Sequence, residues 1–501
     1  MSNKGNVIDY VWKDRSPLTA DNYNEIDGLV MSELSYMKFE DITWTEEQLS
    51  NGITIEDYAQ ILLDNSSNLG ENERSFLGAL KIGTRYKNLK VTDMAALNGN
   101  EYWSNGQTHH QSESGQWAGL TVEIDDRTCI VANRGTDTTT RGWNEDLELA
   151  YTTTGTPAQI ASRDYLENNR YDNVYDVGHS KGANDSVSGY AMADKSTRDR
   201  VKRIDTYDGP GNNDEFIGLH EEGYSELADK QHNHFPKDSI IGTMLNDHPG
   251  ENDYCNTNTN PNDMSAIFSE HDPFSWSIDL DSKEFDGNAD NQSDISRLIN
   301  DSLDDALDGL GPDGRRTAVD ILQRIGVASL MEREEDMSTG AKILRILAGL
   351  MSLSDGEVAA ILMFLFNLLR DMYLNSMRIR SESYKYTRAQ TDGSRYAADA
   401  APGRSRFSVS TDILRHSMVG MRDIAQQIDM TIPRFDAVNV ELGSFIHDEI
   451  MDVLSALRYD MLKERRSILD LHDCIEYVAL EYESTEEEIL SRPLWVPSSA
   501  W

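Results

Sequence analysis

The chain has 501 residues, and its 87 Asp and Glu against 46 Lys and Arg give a formal net charge of −41 at pH 7. That length implies two or three folding units, and the charge disfavours nucleic acid held through its phosphates. At 38% hydrophobic and 27% charged, the composition is that of a soluble globular protein rather than a disordered one.

Residues 20–290 alternate apolar runs with helical patterns, as α/β domains do. Leu120–Ile124 and Thr128–Ala132 read as strands joined through Asp125, Asp126 and Arg127 as a hairpin. Asn173–Val177 and Val201–Tyr207 are two more strands with a helix between them, and Gly242–Leu245 and Ala266–Phe268 are weaker ones. From about 295 the period turns helical. Leu298, Leu303 and Leu307 open one helix, and Val319–Val327, Ile343–Leu350 and Glu357–Met377 follow. Residues 389–407, rich in Gly, Ser and Ala with Pro402, form a linker. Two long segments with 3–4 apolar spacing then give an antiparallel helical hairpin over 408–495. No run reaches the roughly 18 apolar residues of a membrane span. Met1–Tyr10 lacks the layout of a signal peptide. Cys129, Cys255 and Cys474 stand too far apart for a disulfide framework or a zinc pattern. A cytoplasmic location is expected, with secretion lacking a signal peptide as the alternative.

Gly178-His179-Ser180-Lys181-Gly182 fits the G-x-S-x-G turn that presents a nucleophilic serine between a strand and a helix. Chance alone produces such a pentapeptide in roughly one chain of this length in five or six. Context strengthens it, because Val174, Tyr175 and Val177 precede it as a strand and Val187, Tyr190 and Met192 follow as a helix. Upstream, Arg134-Gly135-Thr136-Asp137 ends another strand. There Thr136, by amide and hydroxyl, and the Lys181 amide could face a developing oxyanion.

Together these strings resemble the class three (fungal-type) lipases, and more closely a related bacterial family, the Mbeg-like proteins. The resemblance spans roughly residues 1–375. It rests on Asn22–Phe39, Arg134–Asp137, Gly178–Gly182, Tyr207–Gly211, Ser239–Gly242 and the run His271-Asp272-Pro273-Phe274-Ser275-Trp276. It departs at Asn133, where an aromatic usually precedes RGT, and at Ala183, where a second glycine usually follows. The resemblance implies an α/β-hydrolase core over 1–290, a mixed and mostly parallel sheet with flanking helices. An accessory helical region over 291–388 and the all-α hairpin would follow it.

A nucleophilic serine needs a base and an orienting acid, in the order Ser, Asp/Glu, His for such a core. Of the downstream histidines His220, His232, His234, His248 and His271, the last follows an apolar run and is the expected base, with His248 the runner-up. His220 reads as solvated, and His232 and His234 as members of a polar loop. The acid stays open between Asp208 and Asp238, with Asp247 behind them.

The expected activity is hydrolysis of carboxylic esters by Ser180, His271 and one of those aspartates, with no metal or organic cofactor. The competing class is a silent hydrolase-fold protein used for binding or assembly. The segment Thr138–Asp146, where lipases carry an apolar lid, is polar apart from Trp143, so a small or polar ester suits the site at least as well as a lipid. The hairpin with Tyr482 and Glu486 weakly resembles the WXG-type substrates of type VII secretion. Its apolar stripes over 408–490 suggest a second copy of the chain or a helical partner. No nucleic acid and no stable membrane insertion are expected.

Overall fold

The computed structural model describes residues 3–327 apart from 67–68, 138, 246–247, 260–268 and 289–291, together with Leu462, Arg466 and Leu469. The strand expected at Ala266–Phe268, Asp247, the helices expected at Ile343–Leu350 and Glu357–Met377, the linker and the hairpin lie outside the described residues.

Three short strands, β1 (Lys4–Gly5), β10 (Ile278–Asp279) and β11 (Glu284–Phe285), make a small antiparallel sheet. The other nine strands form one sheet. They are β2 (Ile53–Thr54), β3 (Lys90–Ser104), β4 (Gln107–Asp125), β5 (Thr128–Arg134), β6 (Asn173–His179), β7 (Val201–Tyr207), β8 (Gln231–Pro236), β9 (Glu251–Cys255) and β12 (Gly287–Asn288). Their order is β12-β9-β8-β7-β6-β5-β4-β3-β2. Strands β5 to β9 run parallel, and the pairs at either side are antiparallel. The fold is therefore α/β, with a mixed and mostly parallel central sheet.

Strand β5 is buried along its whole length, Thr-Cys-Ile-Val-Ala-Asn-Arg, and its two-residue period divides the core. Ile130 and Ala132 face the layer that holds Leu29, Val30 and Leu34 of helix α2. Cys129 and Val131 face Ala158, Tyr165, Val187 and Tyr190 on the other side. Each large side chain buried this way contributes roughly 1.5–3 kcal/mol.

The N-terminal layer comprises α1 (Val7–Lys13), α2 (Glu25–Ser35), α3 (Glu46–Asn51), α4 (Ile55–Asn65) and α5 (Glu71–Ile82). Asn24 caps α2 through the Ile26 and Asp27 amides, and Asp27 returns a bond to the Asn24 amide. Asp27 also takes two guanidinium bonds of 2.6 Å from Arg85, which ties the layer together. Helices α6 (Thr140–Glu148), α7 (Pro157–Glu167) and α8 (Lys181–Met192) follow the central strands. The start of α7 is set by Thr156 as cap, Pro157 in the first turn and a reciprocal bond with Gln159. Beyond the sheet lie the helices Asp294–Asp308 and Gly311–Ile325. Among the described residues no helix is long and apolar enough to cross a membrane.

Three local expectations change. Gly242–Leu245 is a turn, because the Gly242 amide donates to Asp208 and Leu245 sits at φ 67°. His232 and His234 belong to strand β8 rather than a loop, their parallel pairing with β7 overriding a polar sequence. His220 packs on Phe216 with ring centroids 4.6 Å apart and is half-buried rather than solvated. Strands β3, β8 and β9 have polar or mixed sequences that carried no strand pattern.

Candidate active site

Ser180 stands between β6 and α8 with φ 58° and ψ −134°, a conformation that non-glycine residues avoid. Its amide donates to the Tyr207 carbonyl at 2.9 Å, pinning the turn to the neighbouring strand. The flanking glycines answer to contact rather than to φ. A Cβ on Gly178 would lie 2.2 Å from the Gly182 carbonyl oxygen, and one on Gly182 would lie 2.4 Å from the Asn133 carbonyl oxygen. Ala183 stands where a second glycine was expected, and the room for its methyl comes from Gly209, whose own Cβ would be 2.3 Å away. The close approach of helix and strand is kept by moving the glycine to the opposite partner.

Gly135, from the other expected segment, lies beside the serine, since a Cβ there would be 3.1 Å from the Ser180 Cβ. Arg134 beneath it is buried and fixes the end of α2, donating to the Ser35 carbonyl at 2.6 Å, the Met37 carbonyl at 2.9 Å and Glu40 at 2.5 Å. Thr136 follows, and its hydroxyl donates to Asp146 Oδ2 at 2.7 Å. Burial pushes the Asp146 carboxyl up to about 6, against the pull of Lys181 and of the Thr136 bond. Lys181 opens α8, so its amide is one of those with no partner inside the helix.

The Lys181 side chain turns inward. It is fully buried, donates to the Gln116 carbonyl, and lies 3.3 Å from Glu145 and 3.8 Å from Asp185. Burial opposes its charge, but Asp185, Glu145 and Asp146 outweigh that and hold its pKa above the ordinary lysine value. One ammonium cannot balance three carboxylates, and neither Asp185 oxygen has a hydrogen-bond partner. Burial accordingly raises Asp185 to about 8. Asn133 fills its place with polar bonds instead of an aromatic ring. Its amide donates to Asp176 at 2.9 Å and Ser186 at 2.8 Å, and its oxygen accepts from Trp117 at 2.9 Å and Ser162 at 3.1 Å.

Asp208 stands just past β7, one strand over from the serine, at φ 47°. Its Oδ2 accepts from His271 Nδ1 at 2.6 Å. That fixes the imidazole with Nδ1 protonated and Nε2 free to accept. Asp208 is buried and His271 a quarter exposed, so the pair closes toward the protein on one side and opens to solvent on the other. Asp238 is not placed there. Its carboxylate lies 3.9 Å from Lys237 Nζ, on the turn after β8, one strand farther from the serine. His248 lies with Nε2 3.1 Å from the Gly242 carbonyl and packs on Phe235.

Two residues that sequence reasoning left without a role join this group. His179 is buried, donates from Nε2 to the His271 carbonyl at 2.9 Å, and packs ring on ring with His271 at 4.6 Å. Burial holds its pKa well below the ordinary histidine value, so it stays neutral. Its Nδ1 meets the Tyr36 hydroxyl at 2.9 Å. Tyr36 in turn bonds the Gly135 backbone. One tyrosine at the end of α2 therefore braces both the RGT segment and the histidine clamp. The signal available was the string Asn22–Phe39 itself, which contains Tyr36 but does not say which residue reaches the site.

The arrangement offers a strained serine, a histidine–carboxylate pair at the end of the adjacent strand, and a first-turn amide of α8. Such a set can activate a hydroxyl and stabilise an anion. Residues 83–324 match the family model described as Mbeg1-like. Comparison with curated proteins and with solved structures gives no match.

Proposed function

Over residues 83–324 the chain belongs to the Mbeg1-like family, and from that premise we propose that it is a serine hydrolase of carboxylic esters on an α/β-hydrolase core. Ser180 Oγ attacks the acyl carbon while His271 Nε2 takes its proton. Asp208 keeps Nδ1 protonated and balances the imidazolium that forms. The tetrahedral oxyanion is met by the amides of Thr136 and Lys181. The Thr136 hydroxyl has its one proton on Asp146 and serves to orient the segment. His271 then returns the proton to the leaving alcohol, and water repeats the sequence on the acyl-enzyme, restoring Ser180.

The observation that carries this reading is the 2.6 Å contact of His271 Nδ1 with Asp208 Oδ2, at the strand end whose last carbonyl holds the Ser180 amide. A small or polar ester is the favoured substrate, because α6, whose Asp146 accepts the Thr136 hydroxyl, carries Arg141, Asn144 and Glu145 as well and a single aromatic, Trp143. The helical region after 291 and the hairpin over 408–495 are proposed as accessory parts, the hairpin binding a second copy or a helical partner.

A fluorophosphonate probe tests the activity. Covalent labelling at Ser180 is expected, and absence of labelling of the wild type across pH 6–9, in low and high salt, overturns the hydrolase reading. A binding or assembly role would then stand in its place.

A further inference from the structure

The two oxygens of Asp208 are used unequally. Oδ2 meets His271, whereas Oδ1 accepts the Ser239 hydroxyl and the Gly242 amide, the latter at 3.0 Å. Ser239 Oγ also accepts from that same Gly242 amide at 3.1 Å, so serine, glycine and carboxylate form one closed knot. A Cβ on Gly242 would lie 2.4 Å from Oδ1, so any larger residue here would push the carboxylate out of place. A carboxylate held on one oxygen by two donors cannot rotate about its Cβ–Cγ bond, and its free oxygen stays aimed at the imidazole.

The knot is anchored from the helix Asp294–Asp308. Ser296, fully buried on that helix, donates its hydroxyl to the Ser239 carbonyl at 2.6 Å, and the Ser293 amide donates to the Lys237 carbonyl at 2.8 Å. The Ser239 amide is itself committed to Pro236 at 2.9 Å. Ser239 is therefore buried, with its hydroxyl, amide and carbonyl all occupied. We propose that Ser239 is a positioning residue for the Asp208–His271 pair, and that Ser296 holds it in place from the accessory helix.

This rests on the hydrolase reading above, in which Asp208 orients the base. It gives the string Ser239–Gly242 a task, and it makes the first accessory helix part of the site's support.

The test is a double-mutant cycle in the full-length chain, read as the maximal rate of fluorophosphonate labelling. Ser239→Ala should lower that rate about tenfold with the half-saturating probe concentration unchanged. Made on top of Asp208→Asn, the same change should cost less than twofold, because its path to the histidine is already cut. Ser239→Thr, which keeps the hydroxyl, should recover most of the rate. A wild-type rate in Ser239→Ala, or an equal loss in both backgrounds, overturns the proposal. Should Ser239→Ala fail to fold, Ser296→Ala is put through the same cycle, with about a threefold loss expected only where Asp208 is intact. A wild type that does not label counts against the hydrolase reading alone. The proton NMR resonance of His271 Nδ1–H then decides the matter: it should move in Ser239→Ala, and an unmoved resonance overturns the role of Ser239.

Discussion

Ser180 and Asp208 end neighbouring strands, both at positive φ without being glycine, yet different forces hold them there. Around Ser180 the constraint is backbone against backbone: Gly178 on Gly182, Gly182 on Asn133, and the serine amide on Tyr207. Around Asp208, whose amide is likewise bonded to the His234 carbonyl at 2.8 Å, the added constraint is hydrogen bonding to the side-chain carboxylate, from Ser239, the Gly242 amide and His271. A backbone constraint needs particular residue types at fixed chain spacing, so it leaves a contiguous trace. A side-chain constraint can be assembled from any segments the fold brings together, and here they are the end of β7, the turn 239–242 and residue 271.

The sharpest way to break this contrast is to place one methyl on each side. Gly182→Ala sets a Cβ against the Asn133 oxygen and 2.8 Å from the Gly135 nitrogen, atoms that cannot move independently. A loss above about 4 kcal/mol is expected, seen as an early midpoint or no transition in urea. Gly242→Ala pushes instead on the Asp208 carboxylate and the Phe235 ring. It should cost only about 2 kcal/mol while still reducing labelling strongly. Equal destabilisation by the two would erase the distinction.

Next in size is the proposed base. His271→Ala should slow labelling by roughly 10³ with an almost unchanged melting temperature, and Asp208→Asn should approach it, whereas Asp238→Asn should leave the rate within twofold. A large loss at Asp238 would return the acid to the turn after β8.

The buried carboxylates beneath the Gly178–Gly182 turn, the serine elbow, give a pH test. Burial raises Asp176 to about 7 and Asp185 to about 8. Both sit above the unfolded carboxyl value, so between about pH 4 and 8 the folded chain binds more protons than the unfolded one. Stability therefore falls as pH rises through that window and levels off above it. Asp176→Asn should remove on the order of 2 kcal/mol of the decline between pH 5 and 8, measured by urea unfolding at each pH. An unchanged slope would mean that Asp176 ionises without cost in its buried place.

How much of this was legible follows the same division. The elbow, the RGT segment and strands β5, β6 and β7 could be read from glycine spacing and apolar runs, because those residues answer to neighbours within a few positions. His271 was reachable through its string and its place in chain order. That Asp208 rather than Asp238 meets His271 was not, since it depends on the strand register that sets Tyr207 beside His179. Strand β8, with His232, Asn233 and His234, is buried by its neighbours in the sheet and has no apolar alternation of its own. The Lys181–Glu145–Asp185 cluster was illegible for another reason: in so acidic a chain, no carboxylate advertises that it is inside.

Two smaller effects refine the comparison. His179→Phe removes the bond to the His271 carbonyl while keeping a ring in the same space, and should slow labelling roughly tenfold. No change would leave the Asp208 contact as sufficient support for the base. Ser180→Gly should raise stability by about 1 kcal/mol as it abolishes labelling, by relieving a φ of 58°. A destabilised Ser180→Gly would show that the turn stores no strain.

The turn Asp125–Arg127 joins β4 to β5 at the end of β5 opposite Thr136, and its three residues are exposed. Seven residues of β5 separate it from the site, roughly 20 Å at the rise of a strand. This makes the turn a natural handle. A cysteine, dye or surface tether attached there would hold the sheet from the end of β5 opposite Thr136, at a distance from Ser180 and the groups bonded around it.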